Sequence, residues 1–571
     1  MRRHVSLTAV AALAFAAGAH AQSRAPKVFV LDQGARSVTT LDFESGKVAQ
    51  TATLEGSPSV LLRTHDGKRL LVLDRGTGHD AGDAGFQAKT KSSVTILDAA
   101  TLTPKARIEL GAGLDDSVML SDRGDRLAVV CPGYVGRRPE ETLPRELVIV
   151  DVAAGQVSGR VPLARPASAF FGTPDGKTGV VLAQRGKPKQ TPSPAAELQL
   201  IDLQTAKSVA ALTFDGDPRD PVLSPDGKYV YLLDRGNPSG NPDKNVNGRV
   251  HVISLDTRKV EAAYDVGSKP RGLVLDEGGQ QLLLLSDGTP VKGQNDHAGE
   301  LRALRGASVV GPVPTLWSPE HIRATADGKR LFVVSRAGVT SYNSRDLTPM
   351  SEMRNRSVEA DEFAISPDGR RGFSIWQQNL YTYDLEKGTQ IEKVVTGRMT
   401  SRIVAALDAA AATETSKASA RREAERKGQS HYYYTEYTVR DPSQTIAVRP
   451  DSKAVYVVNR QTSDVTVVDT ETGRVIEKVG ADGSAVHFLA GAGLALVVDD
   501  TAVRAIDLST HQKVDEVSDK AYSFGKPEIS PDATRAVFNG RAGLLLIEGA
   551  NGKATRKLIP FKRVVDLEVE W

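Results

Sequence analysis

The sequence predicts an all-β fold, a β-propeller of about eleven four-stranded blade-like repeats, and three observations predict it. A unit of strand, Asp-Gly turn, strand, loop, Asp-terminated strand, short turn and strand recurs along nearly the whole chain. Its spacing of roughly 40–50 residues is the period of propeller blades and arrays. The turns carry residues suited to tight hairpins, and the two chain ends hold complementary fragments of one further unit.

The repeat shows clearly in SPDGKYVYLLDRG (224–236) followed by GRVHVISLDTRKVEAAYDVG (248–267), in SPDGRRGFSIWQQNLYTYDLEKGTQIEKVV (366–395) and in RPDSKAVYVVNRQTSDVTVVDTETGRVIEKVG (449–480). Asp bonds forward to its own backbone and Gly supplies positive φ, so Asp-Gly between apolar runs closes a hairpin. The turn anchors are Thr64-His65-Asp66-Gly67, Asp122-Arg123-Gly124, Pro174-Asp175-Gly176, Pro225-Asp226-Gly227, Asp276-Glu277-Gly278, Ala326-Asp327-Gly328, Pro367-Asp368-Gly369 and Pro450-Asp451. Weaker ones follow at Gly491-Ala492-Gly493 and Pro531-Asp532. Four short antiparallel strands per unit make a blade, and radial packing limits the edges a lone sheet would expose.

Near the start, KVFVLD (27–32) reads as a second strand with no first strand before it, and RVVDLEVEW (563–571) reads as a first strand with no blade after it. Their pairing would complete an eleventh blade. Propellers have about 4–8 blades, so this number of units favours two propellers, one of them discontinuous, over one large ring. Repeats with long loops on one face occupy residues 22–400, a helical insertion 401–430, and further repeats 431–571. The insertion is expected because 402–427 is rich in Ala, Glu, Lys and Arg, lacks Gly and Pro, and stops at Gly428. HYYYTEYTV (431–439) reads as a strand.

Residues 1–21 read as a Sec-type signal peptide: Arg2 and Arg3, an apolar run over 5–18, and Ala19-His20-Ala21 before Gln22. A periplasmic or secreted protein is expected, and no later stretch has the ~20 apolar residues of a membrane span. Removing 1–21 takes away two arginines and no acid, so the net charge falls from +3 to +1. That near balance argues against a nucleic-acid partner. The single cysteine, Cys131, in LAVVC, reads as a buried strand thiol. One cysteine forms no internal disulfide and excludes CxxCH haem attachment and multi-cysteine metal sites. No catalytic motif stands out, and no cofactor is expected.

These units, with SPDGK, a YV or LLD strand, VxVID-like and TgkVv-like steps, resemble the YVTN-type β-propeller repeat family, itself similar to TolB-type and lactonase-type propellers. GRVHVISLDTRKVEAAYDVGSKPRGLVLD (248–276) and SDVTVVDTETGRVIEKVG (463–480) carry the resemblance best. It implies the fold and, as a common form, a seven-bladed domain; it says little of function, because such repeats serve unrelated roles in exported proteins.

Five long connections, 75–93, 133–146, 185–197, 235–248 and 287–299, all join the second to the third strand of consecutive units, so they should crowd one face. Blade-to-blade connections enter on the same face. Polar residues there, at a channel mouth, are the binding candidates: Asp115, Asp116, Arg219, Asp220, Arg271, Glu320, His321, Asp361 and Glu362. Their mixed signs suit a polar small ligand or a peptide carrying both charges, with Arg219 and Arg271 offering guanidinium forks to an anion. Glu320, His321, Asp361 and Glu362 also combine hard oxygen ligands with one imidazole, the donor types of a divalent-cation site, but no metal is expected. The expected function is a non-catalytic binding or scaffold propeller recognising a protein, peptide or glycan. The alternatives are a lactonase-like hydrolase using His321 as general base, a quinone-cofactor oxidoreductase, or an accessory subunit of an exported redox enzyme.

Overall fold

The computed structural model describes residues 26–571 except 77, 81–85, 89–90, 115–117, 122, 134–143, 184–194, 215, 217, 238–244, 276–280, 290–296, 326, 355–362, 377–378, 397–443, 461, 521–522 and 541. The helix expected over 402–427 and the strand over 431–439 lie outside the described residues. Among the described residues the repeats form eleven four-stranded sheets, and a two-stranded hairpin stands beside them. The fold is an all-β propeller architecture.

Blade 1 is built from both chain ends, in the order Val48–Thr53, Ser37–Asp42, Lys27–Asp32, Val564–Glu570. The complementary end fragments of the sequence therefore meet in one sheet, as expected. Blades 2 to 11 follow in chain order over 58–112, 118–162, 169–214, 218–265, 273–315, 319–354, 363–395, 444–479, 485–518 and 528–560. Contacts divide the chain into two compact units: Met1–Gly293 with Leu301–Pro312 and Val565–Trp571, and Gln294–Glu300 with Val313–Val564.

Strand character follows from the alternation of side chains across each pleat. Second and third strands are buried on both faces, as in Leu70–Leu73 and Val94–Leu97, and fourth strands such as Val48–Thr53 are largely exposed. Each apolar cluster lies between two neighbouring blades. Phe29, Leu31 and Val38 of blade 1 pack with Leu61, Leu70, Val72 and Leu97 of blade 2, and Leu71, Ile96 and Leu110 of blade 2 pack with Leu127, Val129 and Val148 of blade 3. Burying one such leucine or valine contributes about 1.5–3 kcal/mol, so each of these two interfaces is a core in its own right.

The hairpin turns use more than Asp and Gly. A Ser or Thr two residues before the Asp donates to its carboxylate: Thr64 Oγ1 to Asp66 at 2.7 Å, Ser224 Oγ to Asp226 at 2.6 Å and Ser366 Oγ to Asp368 at 2.6 Å. The same hydroxyl accepts the amide of the residue that starts the next strand, as Ser224 does from Tyr229 at 2.9 Å. Gly67, at φ 68°, completes the first of these turns in the left-handed region that favours glycine. Where the sequence suggests a plain turn at Gly491-Ala492-Gly493, the chain makes a short 3-10 turn, Ala490–Ala492, ended by Gly493 at φ 72°.

Candidate functional site

Five consecutive blades, 2 to 6, carry the long connections, and their described parts show what they do there. In 75–93 the backbone forms a small hairpin, Gly78–Asp80 against Phe86–Ala88, where the sequence suggests only loop. In 235–248, Asn237 bridges to Val246. Asn247 Nδ2 then donates to Thr289 Oγ1 of the 287–299 connection at 3.3 Å, and Ser268 N donates to Gly288 O at 2.7 Å. Two long connections of adjacent blades are thus tied to each other on one face.

Four of the candidate residues, Asp115, Asp116, Asp361 and Glu362, lie outside the described residues, and for Asp220 the backbone alone is described, in the strand Pro218–Leu223. Arg219 sits half-buried in that strand, opposite Leu233. Arg271 faces a carboxylate: its Nη2 lies 3.1 Å from Asp287 Oδ1, and Lys269 Nζ lies 3.4 Å from Asp287 Oδ2. Its fork is directed to a fixed acid of the same blade. Glu320 behaves alike, accepting from Arg336 Nε at 2.7 Å. His321 follows it in Pro319–Ala324, opposite Val334. Arg219 and Arg271 belong to the first unit and Glu320 and His321 to the second. Among the described residues no group of His, Cys, Asp and Glu has the arrangement of a metal site.

A cavity of about 540 Å³ opens on the loop face between blades 1 and 2, within the first unit. The described residues lining it come from the connections and strands of blades 1 and 2. Arg36 is in the second-to-third turn of blade 1, Gly56 and Ser57 link the blades, Asp74 and Gly76 precede the long connection, and Lys91, Ser92 and Ser93 follow it. Arg107 and Glu109 complete the wall from the fourth strand. The register aligns Asp74, Ser93 and Glu109 across three adjacent strands.

Asp74 is structural as well as lining. It is 7% exposed, and its two oxygens accept the amides of Ser57 and Gly76, each at 2.7 Å. A Cβ on Gly56 would stand 1.6 Å from Asp74 Oδ2, so this close approach of chain to carboxylate requires glycine there. Lys91 pairs with Glu109 and Arg107 with Glu55, all well exposed, so each pair contributes about 0.2–1 kcal/mol. Deeper in the wall, Ser92 Oγ donates to Gly111 O and Gly113 O, and Cys131 is fully buried. Burial pushes the Cys131 thiol up to about 11, which leaves it protonated and unreactive at neutral pH.

Of the cavity residues, Gly76, Lys91, Ser92 and Ser93 fall in the long connection 75–93 read from the sequence, whereas Arg36, Gly56, Ser57, Asp74, Arg107 and Glu109 are not among the residues it points to. The signal available was contrast: blade 1 has a four-residue turn, 33–36, where its successors carry long connections, and that turn brings a charged residue to the rim.

No family model matches the chain. Over 82 residues it is 33% identical to Antigen Lp49 of Leptospira interrogans serogroup Icterohaemorrhagiae serovar copenhageni (strain Fiocruz L1-130), a match covering 14% of this chain and 18% of that protein. Among solved structures it is similar to the dihydro-heme d1 dehydrogenase NirN in complex with DHE, at 15% identity and TM-score 0.35, covering 71% of this chain and 77% of that one. It is also similar to apo AztD from Citrobacter koseri, at 13% identity and TM-score 0.27, covering 80% and 95%. Neither likeness reaches beyond the fold, and the propeller assignment stands on the chain's own eleven four-stranded sheets.

Proposed function

We propose that this chain is an exported, non-catalytic β-propeller of the YVTN-repeat type that binds a protein, peptide or glycan through its long-loop face. The observation that carries the proposal is the joining of two long connections to each other through Asn247 and Thr289, on the face where the cavity between blades 1 and 2 opens. Loops that only link strands have no need of mutual bonds; loops braced against one another present a fixed surface. The charged groups described there favour binding over catalysis. Arg271 faces Asp287 and Glu320 receives Arg336, so both carboxylates are engaged by guanidinium groups of this chain.

The test is affinity capture from the organism's own extract with the full chain and with variants in which 75–93 or 235–248 is shortened to a tight turn. Thermal unfolding shows whether each variant keeps its fold. Loss of a specific partner from a folded variant supports the reading, and an unchanged set of partners in both variants sinks it.

A further inference from the structure

We propose that the cavity between blades 1 and 2 is a receptor for the free carboxylate end of a peptide, with the Arg36 guanidinium as its anchor. The inference rests on the loop face being the binding face and names the chemistry that one part of it recognises.

The described residues lining the cavity are three cations, two acids, three serines and two glycines, with no aliphatic or aromatic residue among them. Binding hollows are ordinarily lined by apolar groups with a few polar ones, so this lining selects a ligand that is itself charged and rich in hydrogen-bonding groups. It also disfavours a sugar ring, which gains from an aromatic platform. The volume, about 540 Å³, is far larger than an inorganic anion needs and suits a few residues of extended chain.

Within this lining the charges are not all alike. Lys91 and Arg107 have their carboxylates in Glu109 and Glu55, and Asp74 is committed to two backbone amides. Arg36 has no carboxylate partner among the described residues, and it is exposed. Its backbone is nonetheless pinned. Arg36 N donates to Gln33 O at 3.3 Å, Arg36 O accepts from Leu54 N at 2.7 Å, and Asp32 Oδ1 holds the turn through Ala35 N at 2.9 Å. A cation on a fixed turn, lining a hollow and without an ion-pair partner among the described residues, offers a fork that fits a carboxylate in two-point contact.

Two further groups extend the site. The Ser93 hydroxyl makes no side-chain hydrogen bond among the described residues and lies in the row between Asp74 and Glu109. Ser57 Oγ accepts a long bond from Gln33 Nε2 at 3.4 Å and keeps its own proton to donate. These hydroxyls and the paired walls offer partners to the amides of a peptide backbone, which a bare anion would leave unused.

The experiment is calorimetric titration of the full chain with trialanine, trialanine amide, succinate and inorganic phosphate. Trialanine is expected to bind, its amide about tenfold or more weakly for loss of the charge-assisted contact, and the two small anions more weakly than trialanine. In Arg36→Met, with an unchanged unfolding temperature, the acid and the amide should bind alike; Ser93→Ala should weaken trialanine several-fold without erasing that preference. Equal binding of acid and amide to the wild type, absence of binding by all four, small anions as tight as the peptide, or a preference that survives Arg36→Met each overturns the proposal. These outcomes are separable from the loop-face reading, because partner capture that depends on 235–248 stands or falls without Arg36.

Discussion

Asp566 shows how a single residue can set the pH response of this fold. It lies on the C-terminal strand, and its Oδ2 accepts the Leu61 amide of blade 2 at 2.8 Å. Burial raises its carboxyl above the usual value of about 3.9, against the lowering effect of that amide. A group whose pKa is raised by folding contributes stability that is full below the ordinary value and lost as pH rises through the raised one. Asp566→Asn keeps an acceptor for Leu61 and removes the charge. The variant should unfold at a higher temperature than the wild type at pH 7, with the gap closing towards pH 4. A gap independent of pH, read by scanning fluorimetry in matched buffers, would remove Asp566 from the account. At this scale the sequence was least informative. Arg271 and Glu320 were visible as charges, but their commitment to Asp287 and Arg336 comes from register across strands, which spacing along the chain does not reveal. Arg36 went unnoticed because its value lies in what it lacks.

The strand-turn-strand element was the most legible part of the chain, since Asp-Gly between two apolar runs has few other meanings. In several of these turns a Ser or Thr stands two residues before the Asp, and spacing alone does not reveal that its hydroxyl serves both the Asp and the next strand. At Ser530 the bond to Asp532 is 2.6 Å, with Arg535 N donating back to the hydroxyl at 2.9 Å. That hydroxyl, ahead of burial's opposing effect, holds the Asp532 carboxyl below its ordinary range. A lowered acid contributes stability above its unfolded pKa and loses it as pH falls. Ser530→Ala should therefore cost about 0.5–1.5 kcal/mol in urea unfolding at pH 7. The cost should shrink below about pH 4, where the carboxylate is protonated. A cost that does not change with pH would mean the hydroxyl acts only on the backbone.

For the whole molecule, the decisive feature is a blade assembled from both chain ends. It was readable because each end carried a fragment with the grammar of the repeat but the wrong number of strands. The number of units pointed to two bodies, one of them discontinuous, but the place where the two compact units divide was not readable, because the division runs through blade 6, whose repeat looks like its neighbours in sequence. Removing 563–571 should strip blade 1 of its innermost strand, leave the Leu61 amide without Asp566, and take away the edge-on contact of Trp571 with Phe43 at 5.7 Å. Limited proteolysis should then cut first within residues 26–54, and protection of that segment equal to wild type would contradict the assigned order of strands.

The shared blade also imposes an order in time. Strands 27–53 are made long before the strand Val564–Glu570 that completes their sheet. At a synthesis rate of ~5–20 residues per second, the opening strands wait on the order of half a minute to two minutes for it. Throughout that interval the edge of Lys27–Asp32 stands as an unfilled template, able to pair with any other strand that reaches it. The arrangement that completes blade 1 makes strands 27–53 dependent on residues more than five hundred positions later, so a chain broken off anywhere before residue 564 leaves that blade open.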